Sequence, residues 1–118
     1  MTTPAETIRR YYTLVDARQF GELVQLFSED TVYRRPGYEP LIGRAALAEF
    51  YGGKRVITDG CHTISEMLSD GVKVAVAGEF NGTVTGGNKV DLRFADFFTL
   101  DDTGLIRERD TFFFAPMV

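Results

Sequence analysis

Lys89-Val90-Asp91-Leu92-Arg93-Phe94-Ala95-Asp96-Phe97-Phe98-Thr99-Leu100 is the stretch that decides the fold. Read at every second position it gives Val90, Leu92, Phe94, Asp96, Phe98 and Leu100, while the intervening positions give Lys89, Asp91, Arg93, Ala95, Phe97 and Thr99. A period of two is that of a β-strand, whose successive side chains point to opposite faces. One face of this strand is apolar except for a single carboxyl group. A carboxylate is too costly to bury alone, so Asp96 must pair with a cation, accept hydrogen bonds or stay protonated. A protonated acid in such a place donates a hydrogen bond to charge developing on a substrate oxygen. The structural alternatives are a bulge that rotates Asp96 to solvent, or a simple pairing with an arginine.

Turn chemistry brackets this strand on both sides. Gly86-Gly87-Asn88 precedes it, Asp101-Asp102-Thr103-Gly104 follows it, and Ser69-Asp70-Gly71 marks another reversal upstream. With β-rich segments at about 62–68, 72–84 and 105–114, an antiparallel meander is expected. Nearer the start, Thr3-Pro4-Ala5-Glu6 is a capping box with proline in the first turn. Ile8, Tyr11, Tyr12 and Val15, and then Phe20, Leu23, Val24 and Phe27, follow at helical spacing and predict two amphipathic helices. Ser28-Glu29-Asp30 is expected to end the second, and Thr31–Arg35 to form a short strand before Pro36-Gly37. Gly43–Tyr51 predicts a third helix, stopped by Gly52-Gly53 in a left-handed conformation. Helices first and strands later predict an α+β domain with the helices on one face of a curved sheet.

The 118 residues, 44% hydrophobic and 25% charged, suit one folded domain spanning 1–118. One cysteine, Cys61, and one histidine, His62, leave no internal disulfide and no Cys/His zinc cage, so no metal and no cofactor are expected. Seventeen acids against thirteen bases give a net charge of -4, which disfavours nucleic acid and anionic membrane as partners. No apolar run reaches the length of a membrane helix and Met1–Arg10 has no signal-peptide core, so a cytoplasmic location is expected. Seven of the ten phenylalanines lie from Phe80 onward, so the late strands are apolar on parts of both faces. One face would line a pocket, and the other predicts a homodimer formed through the sheet.

Other elements supply company for Asp96. Thr31, Tyr33 and Arg35 share a strand face, which projects a phenol and a guanidinium together; Arg35 would clamp an anionic group or neutralise Asp96. Tyr11 lies on the buried stripe of the first helix. In the last strand Arg107, Arg109, Thr111 and Phe113 alternate with Ile106, Glu108, Asp110, Phe112 and Phe114, and neither set is clean, so either Arg109 or Asp110 faces inward. Phe94, Arg109, Thr111 and Phe113 join Arg35 as substrate-binding candidates, with Asp96, Tyr11 and Tyr33 as catalytic ones. His62 is read as structural and Glu79 as a reserve carboxylate.

An inward tyrosine on the first helix, a short strand before a proline and a late strand with an aspartate among aromatics together resemble the nuclear-transport-factor-2-like superfamily, over roughly residues 4 to 115. Within it the chain looks like ketosteroid isomerase and the SnoaL-like polyketide cyclases. The resemblance implies a cone-shaped α+β fold, a curved mixed but mainly antiparallel sheet with three helices on its concave face, of cystatin-like barrel type. It also implies that Tyr11 and Asp96 occupy the isomerase's oxyanion hole. Where that enzyme keeps an aspartate base before a proline, this chain has Arg35 before Pro36, and a guanidinium cannot shuttle a proton. Glu29-Asp30-Thr31-Val32-Tyr33 further resembles limonene-epoxide hydrolase, whose remaining carboxylates would fall near Glu79 and near Asp110 or Thr111. The expected function is a cofactor-independent enzyme, of isomerase, cyclase or hydratase type, acting on an apolar oxygenated small molecule. The alternatives are a non-catalytic ligand-binding or dimerisation module and an epoxide hydrolase.

Overall fold

Thr3 caps the first helix as its sequence predicts: its hydroxyl accepts from the Glu6 amide at 3.1 Å, and its own amide donates to the Glu6 carboxylate at 3.0 Å. The computed structural model describes residues 2–114, Lys54 through its backbone alone; Met1 and residues 115–118, the ends of the expected 1–118 domain, lie outside the described residues. Helix α1 runs Pro4–Asp16 and buries Ile8, Tyr11, Tyr12, Leu14 and Val15 on one face. Helix α2, Phe20–Val24, is shorter than predicted. Strand β1 begins at Phe27 and runs to Arg34, so Ser28-Glu29-Asp30 lies inside a strand and does not end a helix. The cause is tertiary: Phe27 is fully buried and pairs in parallel with Ile106, a constraint that helical spacing from Phe20 cannot reveal.

The two-residue strand β2, Leu41–Ile42, pairs with β1, and helix α3 runs Arg44–Glu49. It continues as a π-helical turn over Phe50–Lys54 that buries both Phe50 and Tyr51. Gly52 and Gly53 have no left-handed backbone, contrary to the expected stop; the helix widens there before it ends. Strands β3 (Ile57–Asp70), β4 (Lys73–Val84), β5 (Lys89–Leu100) and β6 (Ile106–Phe113) form the meander. The sheet order is β2-β1-β6-β5-β4-β3, antiparallel throughout except for the parallel β1–β6 pair. This is the expected α+β arrangement: an open, curved, mixed sheet with three helices packed over its inner face. No helix among the described residues is long and apolar enough to cross a membrane.

Register shifts in β1, β3 and β6 set which side chains face inward. In β6, Leu100 pairs with Ile106 but Thr99 with Glu108, so Arg107 is an extra residue. Ile106 and Arg109 are thereby both buried while Asp110 turns outward to meet Arg34 at 3.0 Å. That bulge is why neither alternating set of β6 is clean. A second shift, between Ile64 and Glu66 in β3, leaves Leu68 exposed and Met67 half-buried.

Phe80 depends on a pair of glycines. Gly60 of β3 faces Gly82 of β4, and the Phe80 ring lies over both, so that a Cβ on Gly82 would sit 2.5 Å from the ring and 2.4 Å from the Asp59 carbonyl oxygen. The Asp59 contact is with backbone and cannot be relieved by a rotamer change. Gly82→Ala is expected to destabilise the fold by about 1–3 kcal/mol, read as a lower urea midpoint at unchanged slope. An unchanged midpoint would refute this packing.

Candidate functional site

Register places Arg109 of β6 directly between Tyr33 of β1 and Phe98 of β5. Its guanidinium carbon lies 4.4 Å from the Tyr33 ring centre, 5.3 Å from that of Phe98 and 4.5 Å from that of Tyr11, which α1 lowers onto the sheet. Three aromatic rings thus cage a cation that is 4% exposed. Its counter-charge comes from Asp96: Arg109 Nε donates to Oδ1 at 3.1 Å and Nη2 to Oδ2 at 2.9 Å, a bidentate pair. Thr111, cross-strand from Asp96, also donates to Oδ1, and Tyr12 from α1 donates to Oδ2.

Four donors therefore converge on Asp96, which exposes no surface. Its oxygens are thus taken up by donors within the protein, whereas the resemblance to ketosteroid isomerase implied an acid that donates to a substrate oxygen. Asp96 is paired with Arg109, not Arg35. Tyr12, which the sequence pattern does not separate from Tyr11, is its phenol partner. Tyr11 instead accepts from Arg109 Nη1 and lies 2.5 Å from the Tyr51 hydroxyl, which also receives Arg109 Nη1 at 3.2 Å. The two phenols share one hydrogen bond, which leaves one of their two protons uncommitted.

Burial is the main reason that Tyr11, Tyr12 and Tyr51 resist ionisation; for Tyr12 the Asp96 charge adds to it, and for Tyr11 and Tyr51 Arg109 works partly against it. Burial also opposes the charge on Arg109, but Asp96 and the surrounding phenols together hold its pKa well above the usual value.

A cavity of about 390 Å³ opens in front of this network. Among the described residues it is bordered by all eight sequence candidates. Tyr11, Tyr33, Asp96, Arg109 and Thr111 form its polar back wall, and Phe94, Phe113 and Arg35 its sides. Ile57, Phe80, Val84, Val90 and Leu92 add apolar wall. The back wall is nearly sealed, Tyr11 and Tyr33 being 1% exposed each. Tyr33 lies 3.3 Å from both Thr111 Oγ1 and Arg35 Nη1. Glu79 is exposed on the outer face opposite Arg93, and Asp110 also points away, so neither of these two carboxylates, among the positions implied by the epoxide-hydrolase resemblance, joins the cavity. Thr111, the other such position, does.

Two features escape sequence reasoning. His62 borders the cavity, and Asp16 at the end of α1 holds it twice: the His62 amide donates to Oδ2 at 2.9 Å, and ring Nδ1 lies 2.6 Å from Oδ1. The ring sits against Tyr12, Phe80 and Phe94. Asp16 looks like an ordinary helix-end acid in the sequence, and nothing in the spacing ties it to a strand 46 residues later. Arg55, after the π-helical turn, is the other addition. Among the described residues, no cluster of three or more His, Cys, Asp or Glu side chains is arranged to hold a metal ion.

A profile of the SnoaL-like domain matches residues 8–109, which takes in most of α1, most of the sheet and the Asp96–Arg109 pair. The chain belongs to the SnoaL-like family. Solved structures share the NTF2-like fold. An NTF2-like protein of unknown function from Burkholderia pseudomallei superposes with a TM-score of 0.86 at 16% identity, over 97% of this chain and 92% of that one. SalBIII, an epoxide hydrolase/cyclase-like enzyme of pyran ring formation in the polyether salinomycin, gives 0.82 at 23% identity over 94% and 90%. A protein with a ketosteroid isomerase-like fold from Catenulispora acidiphila, in complex with trimethylamine, gives 0.80 at 18% over 94% and 86%. A search of curated proteins gave no match.

In this SnoaL-like chain, removing the Asp96 charge strands the Arg109 guanidinium in its ring cage. Asp96→Asn is expected to cost about 3–5 kcal/mol in urea unfolding, and a loss below about 1 kcal/mol would contradict the pairing. A second expectation concerns alkali. Folded-state pKa values above the unfolded value of about 10 mean that Tyr11, Tyr12 and Tyr51 contribute stability below that pH, and that this stability is lost as pH rises beyond it. Phenolate absorbance from these three should emerge together with alkaline unfolding; all five tyrosines ionising in the folded protein would contradict it.

Proposed function

We propose that this SnoaL-like protein is a cofactor-independent enzyme that moves a proton on an apolar, oxygen-bearing small molecule, in an isomerase, cyclase or hydratase-like step. The observation that carries the reading is that His62, oriented by Asp16, borders the same apolar cavity as the phenols gathered around Arg109. With Nδ1 directed at the Asp16 carboxylate, Nε2 is the ring atom left to take or give a proton. This supplies the proton acceptor that Arg35 cannot be.

In the proposed step His62 Nε2 removes a proton from carbon beside a carbonyl. The electron pair moves to the carbonyl oxygen, which the uncommitted Tyr11/Tyr51 proton and Tyr33 stabilise under the field of Arg109. Where a double bond is conjugated with the enolate, return of the proton from His62 to its far carbon completes an isomerisation; where the enolate carbon attacks a second carbonyl in the molecule, that carbonyl's π bond breaks and its oxygen takes the proton back from His62, which completes a cyclisation. Asp96 acts here as a positioning residue through Arg109, Tyr12 and Thr111. SalBIII and the ketosteroid isomerase-like neighbour support the choice of small-molecule chemistry by analogy of fold.

The reading is tested by deuterium exchange into β-tetralone, a neutral ketone sized for the cavity, followed by NMR. The folded protein should accelerate exchange over buffer. His62→Gln should abolish the acceleration, and Tyr11→Phe should reduce it by about 10²-fold or more, as removal of an oxyanion donor does. A rate unchanged by His62→Gln would sink the assignment. Binding of β-tetralone with no exchange would favour the non-catalytic binding reading, to which the sealed, fully paired state of Asp96 lends some weight.

The same proposal includes a homodimer through the outer face of the sheet. Phe97 and Phe112 are 47% and 56% exposed and meet edge to face at 5.8 Å between ring centres, with Phe114 also exposed and Leu68 on the same sheet. Sedimentation at tens of micromolar, about the range for a moderately tight interface, should give a dimer that Phe97→Glu dissociates. A monomer in the unmodified protein would remove it.

A further inference from the structure

Among the described residues, three arginines border the cavity and one carboxylate does, in a chain whose net charge is -4. Asp96 is consumed by Arg109, so Arg35 and Arg55 carry uncompensated charge. Among the described residues neither forms an ion pair with a carboxylate, and the Nε atoms of both are buried without any hydrogen-bond partner. Of Arg35's donors only Nη1 is engaged, by the Tyr33 hydroxyl at 3.3 Å.

Both guanidiniums stand on the π-helical turn and border one cavity. Arg35 lies over Phe50 at 5.4 Å and Arg55 over Tyr51 at 5.5 Å, and those consecutive rings of the π-helical turn have centres 5.1 Å apart. Arg35 is further packed by Tyr38 and Phe113, each 5.3 Å away. Aromatic faces take up the planar surfaces of a guanidinium but leave its N–H edge unsatisfied, and that edge is what matches a carboxylate in a two-point contact. A buried donor without a partner is costly, so an arrangement that keeps two of them at one cavity is poised for an anionic ligand.

We infer that Arg35 and Arg55 form a carboxylate subsite, so that the molecule taken by this cavity is an apolar compound bearing a carboxylate, bound with that group between the two arginines and its hydrocarbon body against Phe80, Leu92 and Phe94. The inference rests on the cavity being the site of small-molecule binding proposed above, and it adds the chemical class of the ligand.

The test is calorimetric titration with β-naphthoate and with its neutral isostere β-naphthamide. The unmodified protein should prefer the carboxylate by at least about tenfold, the scale of a charge-assisted hydrogen-bonded pair. Arg35→Gln and Arg55→Gln should each shrink the preference, and the double variant should bring it to about one. Arg35→Lys, which keeps the charge but not the fork, should retain part of it and shows that the loss is not one of folding. Equal binding of the two probes to the unmodified protein overturns the subsite and leaves the cavity reading intact. A preference that survives in the double variant also overturns it. Failure of both probes to bind overturns the subsite and the cavity reading together.

Discussion

A guanidinium buried beneath three aromatic rings has to be neutralised at close range, and the bidentate contact between Arg109 and Asp96 does this. Most of the inner architecture follows from that requirement. The bulge at Arg107 turns Arg109 inward. Thr111, cross-strand from Asp96, and Tyr12, from the overlying helix, occupy the carboxylate's remaining acceptor positions, so that sheet and α1 are joined through one side chain. Because every member has partners, the network is rigid enough to serve as the back wall of a cavity and need not collapse into it. Stability alone does not require the pair, since well-packed hydrocarbon of similar volume often replaces a buried ion pair without loss. What would be lost is the cluster of phenol hydroxyls that Arg109 draws together at one end of an apolar space.

The fold was legible where local chemistry and tertiary need agree. The capping box at Thr3, the turns around Gly71 and Gly104 and the alternation of β5 all state their structure in a few consecutive residues. It was illegible where a distant partner decides. Phe27 satisfies a helical spacing but is claimed by the parallel pairing with β6, and Gly52-Gly53 looks like a stop but lies within a π-helical turn that buries Phe50 and Tyr51. The candidate site divides in the same way. Asp96 is recognisable because it interrupts an apolar row, and Tyr11, Tyr33, Arg35, Phe94, Arg109, Thr111 and Phe113 all come to the cavity with it. Whether Arg109 or Asp110 faced inward turned on one inserted residue. Asp16 and His62 carry no signal to one another in the sequence, since each by itself is an ordinary polar residue at the edge of an element.

The cavity separates its chemistry by location. The phenols and Arg109 stand at the sealed back wall, His62 is held against Phe80 and Phe94 by a carboxylate from another element, and Arg35 and Arg55 stand over the rings of the π-helical turn. A ketosteroid isomerase would place its base before Pro36. Here that position is Arg35, and His62, the group proposed to carry the proton, stands on β3.

His62 is the chain's single histidine, so a nitrogen NMR spectrum of the imidazole region reports on it alone. The central claim is that Asp16 holds Nδ1 and presents Nε2 to the cavity. In its neutral form the ring should carry its hydrogen on Nδ1, and β-tetralone should shift the Nε2 resonance while leaving Nδ1 nearly in place. A hydrogen on Nε2, or a spectrum indifferent to the ketone, would contradict the account.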